Sequence, residues 1–474
     1  MNTVRILAKN TTVLLIANII SYLLGFFTTL YTARYLGVEG FGILALALSL
    51  TGLFGVFTDL GLSTFTTREV SRNKSLADKY IGNIALIKVI YAFLTFGLIT
   101  LIVYIIGYPQ IVKNVVYIIT LSVILGAFTG IFNSIFQALE KMEYMSLNII
   151  LNAILMITGI LTVIHFGLGI IALSSVYLIS SSIVFVITLI IYSWKFFLPK
   201  INLDFNFWKP TIKEASFFGL SNILVVIYFY IDSIMLSIII GYSAVGIYNA
   251  SYKLIVVLLF IPGIFVTSIF PLMSQHFQSS KNLLKIEYEK SVKYLFTIAV
   301  FIFVYGFVFS DKIILTIYGA GYTASIAALQ VLIFVIPLMF ITNLFGNFIG
   351  AINRQRILII VTGISALFNV ILNLILIPKF SYIGASFATI FTEFIVFILL
   401  YFYISKYFLR ISITQNISKT IISGILTVLF IYYLKMNINW ILTAILGVFA
   451  YLLILYILKI ITKEDLEILK KIFR

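Results

Sequence analysis

The chain contains a succession of apolar stretches, each about 20 residues long, that runs from near residue 12 to near residue 460. A helix needs about 20 mainly apolar residues to cross the hydrocarbon core of a bilayer. Charged residues make up only 10% of the 474 residues, and hydrophobic residues make up 62%. A soluble domain carries about 25% charged residues. We therefore expect an all-α polytopic membrane protein that lipid solvates, and we exclude a soluble globular protein.

Charged residues, Gly, Pro and clusters of Asn or Ser interrupt the apolar stretches and divide them into fourteen predicted transmembrane helices. The first stretch is longer than the core of a signal peptide and leads into Arg34-Tyr35-Leu36-Gly37 without a small-residue cleavage site. We therefore interpret it as a retained helix. The predicted helices lie near residues 12–33, 40–62, 82–107, 115–137, 146–166, 169–193, 216–240, 246–273, 294–317, 325–350, 357–377, 383–404, 417–434 and 440–460.

The distribution of Lys and Arg predicts that both termini are cytoplasmic. Basic residues accumulate on the cytoplasmic connections of membrane proteins. With both termini inside, the inner segments hold 25 of the 32 Lys and Arg residues and the outer connections hold 5, which leaves Lys88 and Lys253 within the membrane. One missed helix would reverse every later loop and weaken this bias. The bias therefore supports fourteen crossings of the cell membrane.

An internal repeat appears when the sequence is shifted by 204 residues. Six predicted helices separate the two copies, and an even number preserves orientation, so the halves should be parallel repeats. Such repeats are typical of transporters in which the substrate path lies between the halves. The matching pairs are Lys9 and Lys213, Asn18 and Asn222, Gly37 and Gly241, Gly42 and Gly246, and Leu50 and Leu254.

The helices and the repeat together predict the domain organisation. Residues 463–474 form a basic amphipathic run, which is typical of a segment that lies on an anionic inner membrane surface. We interpret this run as an anchor. The predicted parts are an N-terminal six-helix lobe (1–193), a cytoplasmic linker (194–215), a C-terminal six-helix lobe (216–404), helices 13 and 14 (405–462) and a cytoplasmic tail (463–474).

We expect five charged residues inside the hydrocarbon region, where each costs at least about 2.5–3.5 kcal/mol at the bilayer centre. Asp59 and Lys88 lie at similar depth in the inner half of the membrane, which predicts an ion pair. Asp232 and Lys253 lie at similar depth in the outer half, and Glu393 lies near the middle of helix 12. The first pair is equally open to a structural and to a functional interpretation.

For Asp232 we favour a functional role over a purely structural one. Tyr228, Tyr230 and Ser233 surround it with polar groups that suit a hydrated path. Pairs of amides spaced i, i+4 form a second signal, because this spacing puts both side chains on one helix face. Two interpretations stay open and are compatible: hydrogen bonds between helices, or a cavity wall that contacts sugar hydroxyls. The pairs are Asn148 and Asn152, Asn343 and Asn347, and Asn369 and Asn373.

The sequence lacks the residues that several classes of protein function require. The chain has no Cys and only two His, which argues against a metal centre, and it has no Gly-rich phosphate-binding loop. The outer connections carry only Glu39 and Asp311 as acidic residues, in short turns with no room for a catalytic domain. The net charge of +16 follows the positive-inside bias rather than nucleic-acid binding. We expect no enzyme activity, no cofactor and no nucleic-acid partner.

Short motifs in both halves resemble one known family. The first half contains ARYLGVEGFG at 33–42, TDLGL at 58–62 and Arg68-Glu69. The second half contains DSIML at 232–236, VGIYNA at 245–250 and Phe270-Pro271. In this combination they resemble the polysaccharide biosynthesis flippases of the O-antigen type, which belong to the multidrug/oligosaccharidyl-lipid/polysaccharide exporter superfamily. The resemblance extends over essentially the whole chain.

The resemblance implies a V-shaped bundle of two six-helix lobes around a central cavity. It also implies a flippase that moves a polyprenyl-(pyro)phosphate-linked oligosaccharide from the cytoplasmic to the outer face by alternating access. Such a protein serves the assembly of cell-surface polysaccharide or glycoprotein glycans. Its partners would be the lipid-linked oligosaccharide, membrane lipids, H⁺ or Na⁺ as a coupling ion, and glycan polymerases or transferases.

The expected roles of individual residues follow from this function. We expect Arg34, Lys88 and Lys253 to attract the phosphate, and Asn343, Asn369 and Asn373 to contact the substrate. Asp59, Asp232 and Glu393 would supply cavity charge or ion coupling. Two alternatives stay open: a cation-coupled multidrug exporter of the same superfamily, for which Asp232 and Glu393 could form an acidic cavity, and a non-transporting scaffold of a glycan-synthesis complex.

Overall fold

The structure is a computed structural model that describes residues 3–196, 203–352, 354–408, 414–462 and 465. Every regular element in these ranges is a helix. Three short 3₁₀ turns, at Val56–Thr58, Lys74–Leu76 and Ala320–Tyr322, interrupt the series. The α-helices are α1 (Thr3–Gly55), α2 (Leu62–Arg72), α3 (Ala77–Ile106), α4 (Gln110–Ala138), α5 (Met142–His165), α6 (Ile170–Lys195), α7 (Phe205–Ile239), α8 (Tyr242–Leu258), α9 (Phe260–Ser279), α10 (Lys281–Val308), α11 (Ser310–Ile317), α12 (Ser325–Leu332), α13 (Val335–Ala351), α14 (Arg356–Tyr407), α15 (Thr414–Lys435) and α16 (Trp440–Ile457).

Within the described residues, eleven segments are long and apolar enough to cross a membrane, or twelve if α12 and α13, which meet at a bend of 44°, form one broken span. Two of the segments, in α1 and α14, contain 50 and 52 residues. A straight helix of about 50 residues is about 75 Å long, whereas the hydrocarbon core is about 30 Å thick. Each of the two helices therefore accounts for two crossings, and every one of the fourteen predicted crossings has a counterpart.

A residue with positive φ breaks each of these two long helices. Gly37 interrupts α1 with a φ of 67°, and Ser381 interrupts α14 with a φ of 53°. Gly241, which the 204-residue shift matches to Gly37, also has a positive φ, of 124°, at the turn between α7 and α8. Glycine adopts this conformation without a steric penalty. The two copies of the repeat therefore share a turn as well as a sequence.

A second pair of matched glycines brings two helices into backbone contact. A Cβ on Gly42 would overlap the carbonyl oxygen of Tyr242, and a Cβ on Gly246 would overlap the carbonyl oxygen of Val38. Val38 and Tyr242 are themselves matched by the 204-residue shift. The contact between α1 and α8 is therefore reciprocal, because each copy contributes the same glycine and the same carbonyl. Only glycine permits so close an approach of two backbones.

Several helices begin earlier in the chain than predicted. The predictions end helices at charged residues, and therefore near the membrane surface, whereas the helices continue into the polar segments. α7 begins at Phe205, where the Asp204 carboxylate accepts a hydrogen bond from the backbone N–H of Phe207 at 3.1 Å. α10 begins at Lys281, where the Ser280 hydroxyl accepts from the backbone N–H of Leu283. Such caps satisfy backbone donors at a helix start.

The chain forms two compact units, Met1–Asn249 and Ala250–Arg474. The first unit has a core on α2, α3 and α4, which includes Leu62, Ile84 and Phe136. The second has a core on α10, α15 and α16, which includes Val304 and Tyr451. The lobes expected at 1–193 and 216–404 stay a prediction. The expected tail, residues 463–474, lies outside the described residues except for Asp465.

Large apolar side chains lie exposed on the outer faces of many helices. Phe93 is 77% exposed, Tyr104 is 72% exposed and Phe449 is 66% exposed. In water such a surface would drive aggregation, whereas in a bilayer it contacts lipid tails. The described residues therefore form a multi-pass membrane protein.

We expect Gly42→Ala and Gly246→Ala each to destabilise the protein, because the added methyl group separates α1 from α8. Overpacking of this kind costs about 1–3 kcal/mol. The matched control is Gly126→Ala on α4, where an added Cβ has no heavy atom within 4 Å. The thermal unfolding midpoint of the purified protein in detergent measures the effect. Equal midpoints for all three variants would contradict the close approach.

Candidate functional site

Asp59 lies where the polypeptide leaves one helix and begins another inside the apolar part of the first unit. α1 ends at Gly55, and after a 3₁₀ turn Leu60 and Gly61 adopt positive φ before α2 begins. The Asp59 carboxylate accepts hydrogen bonds from the backbone N–H of Ser63 at 3.2 Å and from its hydroxyl at 2.5 Å. A carboxylate at this position satisfies free N–H groups of a helix start and is favoured by the helix dipole.

Lys88 on α3 reaches the same point from a neighbouring helix. Its side chain is only 1% exposed, and its ammonium lies 2.5 Å from the Asp59 carboxylate. It also donates to the Ser63 hydroxyl at 3.1 Å and to the carbonyl oxygen of Ala127 on α4 at 2.8 Å. An ammonium has three donors, and here three acceptors meet them. The structure thus brings together the two residues whose similar depth predicted an ion pair.

A polar cavity of about 620 Å³ lies beside this ion pair. Ser63, which bonds to both charges, forms part of its wall. The cavity is open, and the residues of α2, α4, α5 and α7 that line it all belong to the first unit. The lining consists of Ser63, Thr64, Thr67, Arg68, Gly130, Asn133, Ser134, Gln137, Met145 and Phe218.

Arg68 is the charged residue that lines the cavity, and its contacts hold its guanidinium group in place. Its Nε donates to Glu69 at 2.7 Å, and its Nη2 donates to Glu214 of α7 at 2.6 Å. The guanidinium carbon lies 5.0 Å from the centroid of the Phe65 ring and 5.6 Å from that of Phe218. Arg68 entered the sequence analysis only as part of a motif and of the basic bias, so its place at this cavity was missed.

Amides of α4 and α5 and hydroxyl groups of α6 connect these three helices. Asn148 Nδ2 donates to Asn133 Oδ1 at 2.8 Å, and its own Oδ1 accepts from Thr188 at 2.9 Å. The exposed Asn152 accepts from Ser180 at 2.7 Å. The pair Asn148 and Asn152 therefore makes hydrogen bonds between helices, as one of its two interpretations predicts.

Asn133 and Gln137 line the cavity and were missed in the sequence analysis. They lie on α4 with the same i, i+4 spacing that identified the other amide pairs. A search for Gln as well as Asn at that spacing would have found them.

Asp232 lies buried on α7, with 4% of its surface exposed. Its carboxylate accepts a hydrogen bond from the Tyr248 hydroxyl at 2.7 Å, and Asn249 Nδ2 donates to the neighbouring Ser233 at 2.9 Å. Tyr248 and Asn249 lie on α8 and were not among the polar neighbours expected around Asp232. Lys253 is half-buried on α8 and belongs to the second unit. Its pairing with Asp232 stays a prediction.

In the second unit, Glu393 is buried on α14 and accepts a hydrogen bond from Thr342 of α13 at 3.2 Å. Asn369 and Asn373 are also buried on α14, where Asn373 Nδ2 donates to Asn369 Oδ1 at 3.0 Å. Two further predicted groups are accessible: Asn343 is half-buried on α13, and Arg34 is exposed on α1. The roles of all these residues toward a substrate stay predictions.

A cavity of about 520 Å³ in the second unit has the opposite chemistry. Apolar side chains of α10, α13, α14 and α15, together with Gly424, form its lining, including Phe303, Phe334 and Pro337. It provides no hydrogen-bonding side chain for a sugar or a phosphate.

A buried carboxylate at the end of the second unit joins the C-terminal segment to α10. Asp465 lies 2.6 Å from the ammonium of Lys293 and accepts from the Tyr294 hydroxyl at 2.5 Å. Burial opposes ionisation of this carboxyl group, but the bonds from Lys293 and Tyr294 outweigh it, so the pKa of Asp465 lies well below its ordinary range. The contact fixes the chain after α16.

Comparisons with known proteins give consistent results. A family model described as polysaccharide biosynthesis protein matches residues 7–277, and a second, described as MatE, matches residues 218–375. A probable low-salt glycan biosynthesis flippase, Agl15, of Haloferax volcanii is 28% identical over 81% of this chain and 80% of its own. A putative O-antigen transporter of Shigella flexneri is 24% identical over 62% of this chain and 72% of its own.

A solved structure shares the fold. The lipid II flippase MurJ in an inward closed conformation superposes with a TM-score of 0.78 at 18% identity, over 93% of this chain and 97% of that one. At this identity the likeness concerns the fold alone. The fold is that of an all-helical membrane transporter, in agreement with the predicted class.

We expect Lys88→Met or Asp59→Asn alone to be more destabilising than the double variant. Removal of one partner from a fully buried ion pair costs about 3–5 kcal/mol, and we expect the lower end of this range because the Asp59 side chain is 28% exposed. Lys79→Met is the matched control, since Lys79 lies on the same helix in an exposed ion pair with Asp204, worth about 0–1 kcal/mol. Thermal unfolding in detergent measures all four variants. If Lys88→Met is as stable as Lys79→Met, the pair has no structural role.

Proposed function

The chain belongs to the polysaccharide biosynthesis protein family, and we propose that it is a flippase for a polyprenyl-(pyro)phosphate-linked oligosaccharide. The observation that carries the proposal is the open cavity of the first unit, lined by polar and apolar side chains of helices whose outer faces are apolar. The lipid tail of such a substrate can stay in the bilayer. Its phosphate and sugars, in contrast, need a polar route through about 30 Å of hydrocarbon.

We propose transport from the cytoplasmic to the outer face by alternating access, for the assembly of cell-surface polysaccharide or glycoprotein glycans. Arg34 and Lys253 are accessible cations that can attract the phosphate. Lys88 is enclosed by three acceptors in this conformation, so it can reach a phosphate only after its pair with Asp59 opens. Such an opening would couple substrate binding to a rearrangement of α2 and α3.

Asp232 and Glu393 are the proposed groups for coupling to H⁺ or Na⁺. Both are buried and hydrogen-bonded to a hydroxyl group, that of Tyr248 for Asp232 and that of Thr342 for Glu393. In the same proposal Asn343, Asn369 and Asn373 contact the substrate. The MatE match and these two buried acids favour a second candidate function, a cation-coupled drug exporter. Glycan polymerases or transferases are the proposed protein partners.

Transport in vesicles tests the proposed function. Purified protein is reconstituted with a fluorescent polyprenyl-linked sugar, and a membrane-impermeant quencher reports the fraction on the outer leaflet. The wild type should move the lipid, whereas Lys253→Ala should be slower by about tenfold or more, since a hydrogen bond to a charged group contributes about 1.5–3 kcal/mol. Lys74→Ala, at an exposed lysine outside the predicted spans, is the control.

Each outcome distinguishes the candidates. A scaffold would leave the labelled lipid on its original side even with the wild-type protein. A drug exporter would also leave it there, but would accumulate a fluorescent organic cation in the same vesicles. Wild-type rates in Lys253→Ala would remove that residue from the mechanism.

The absence of Cys makes the proposed orientation directly testable, because any introduced Cys is the sole thiol. Lys74 and Asn437 are exposed. Lys74 follows an even number of predicted crossings and Asn437 an odd number, so the two residues should lie on opposite sides of the membrane. In intact cells an impermeant maleimide should label Asn437→Cys, and it should label Lys74→Cys only after permeabilisation. The reverse pattern would place both termini outside.

A further inference from the structure

The cavity of the first unit carries hydrogen-bonding groups that the protein itself does not use. Within the described ranges, the side chains of Thr64 and Gln137 have no hydrogen-bond partner, and Asn133 is bonded only through its Oδ1, which accepts from Asn148. The Nη1 of Arg68 is likewise outside the bonds that hold Nε and Nη2. The exposed side chains of Thr64 and Gln137 and the bonded side chains of Arg68 and Asn133 thus line the same cavity.

The charges around this cavity balance. Arg68 is bonded to Glu69 and Glu214, and Glu69 also pairs with Arg72 at 3.1 Å. Two cations therefore face two anions. On the other wall Lys88 is paired with Asp59. A cavity whose one charged lining residue, Arg68, is already paired has little attraction for a phosphate, which needs unpaired cations or several N–H groups. It suits a ligand that is polar and uncharged.

Rigid apolar surfaces accompany these polar groups. Phe218 lies against the Arg68 guanidinium and lines the cavity together with Met145. A sugar ring presents hydroxyl groups at its edge and C–H groups on its faces, so amides and an arginine can bond the edge while apolar side chains contact a face. The volume of about 620 Å³ lies within the range of about 300–1,000 Å³ that is usual for ligand sites.

We propose that the cavity formed by Thr64, Arg68, Asn133, Gln137, Met145 and Phe218 binds uncharged sugar residues of the lipid-linked glycan, while the phosphate binds elsewhere. This inference rests on the proposed function and adds a specificity site to it. The fixed orientation of Arg68 and Asn133 lets the cavity select a glycan by the positions of its hydroxyl groups. Asn133 is half-buried and bonded through its Oδ1, and a site that hydrogen-bonds a ligand hydroxyl group rejects a ligand that lacks it.

Protection of a single introduced thiol tests the proposal. Gln137→Cys places a thiol at the cavity, and Gln110→Cys places one at the other end of the same helix, at an exposed glutamine that bonds to Asn114. Each variant, purified in detergent, is labelled with a soluble maleimide in the presence of undecaprenyl diphosphate, with or without an attached neutral disaccharide of N-acetylglucosamine.

The disaccharide-bearing lipid should slow labelling of Gln137→Cys about tenfold at about ten times its Kd, because bound protein is not labelled. The sugar-free lipid should leave the rate unchanged, and Gln110→Cys should not respond to either lipid. Asn133→Leu or Thr64→Val in the Gln137→Cys background should reduce the protection, whereas Asn114→Leu in that background should not.

Equal protection by both lipids would show that the cavity recognises the diphosphate or the tail and would overturn the proposal. Absence of protection by the disaccharide-bearing lipid, together with transport of that lipid in vesicles by the Gln137→Cys variant itself, would also overturn it while leaving the proposed function intact. If the wild type neither transports nor binds that lipid, the proposed function itself fails. Size-exclusion profiles verify that each variant is folded.

Discussion

Inside a bilayer every polar group must find its partner within the protein, since hydrocarbon offers none. Lys88 shows what this demands: an ammonium needs three acceptors, and Asp59, Ser63 and Ala127 supply them from three segments. The break between α1 and α2 contains Asp59 and so places the carboxylate beside Lys88. Gly61 adopts a positive φ in this break. The packing of α2, α3 and α4 therefore depends on this one cation, and so does the wall of the adjacent cavity.

The proposed sugar site and the proposed phosphate-attracting residue Arg34 differ in charge. The charged residue that lines the cavity, Arg68, is paired, whereas Arg34 lies exposed on α1 and is not among the lining residues. A lipid-linked sugar has the same division, because its charge is confined to the phosphate and its identity to the glycan. A protein that handles both parts at one place would have to reconcile strong electrostatic attraction with selective hydrogen bonding. Separate places avoid that conflict.

The sequence was sufficient to predict what the membrane dictates. The succession of spanning helices and the pairing of Asp59 with Lys88 follow from the thickness of the bilayer and the cost of placing a charge inside it. The sequence was not sufficient to predict which side chains contact one another between helices, because this depends on the orientation of each helix about its axis. Tyr248 as the partner of Asp232, and the place of Arg68 at the cavity, are set by such contacts. The early starts of α7 and α10 depend on local caps.

The reciprocal contact of Gly42 and Gly246 ties the two copies of the repeat together. After a duplication, each half of a gene is normally at liberty to diverge. Here a side chain acquired at either glycine would strike the other half, whatever the benefit to its own. The contact therefore constrains both halves at once, and a functional hybrid between two such proteins would need a glycine at both positions.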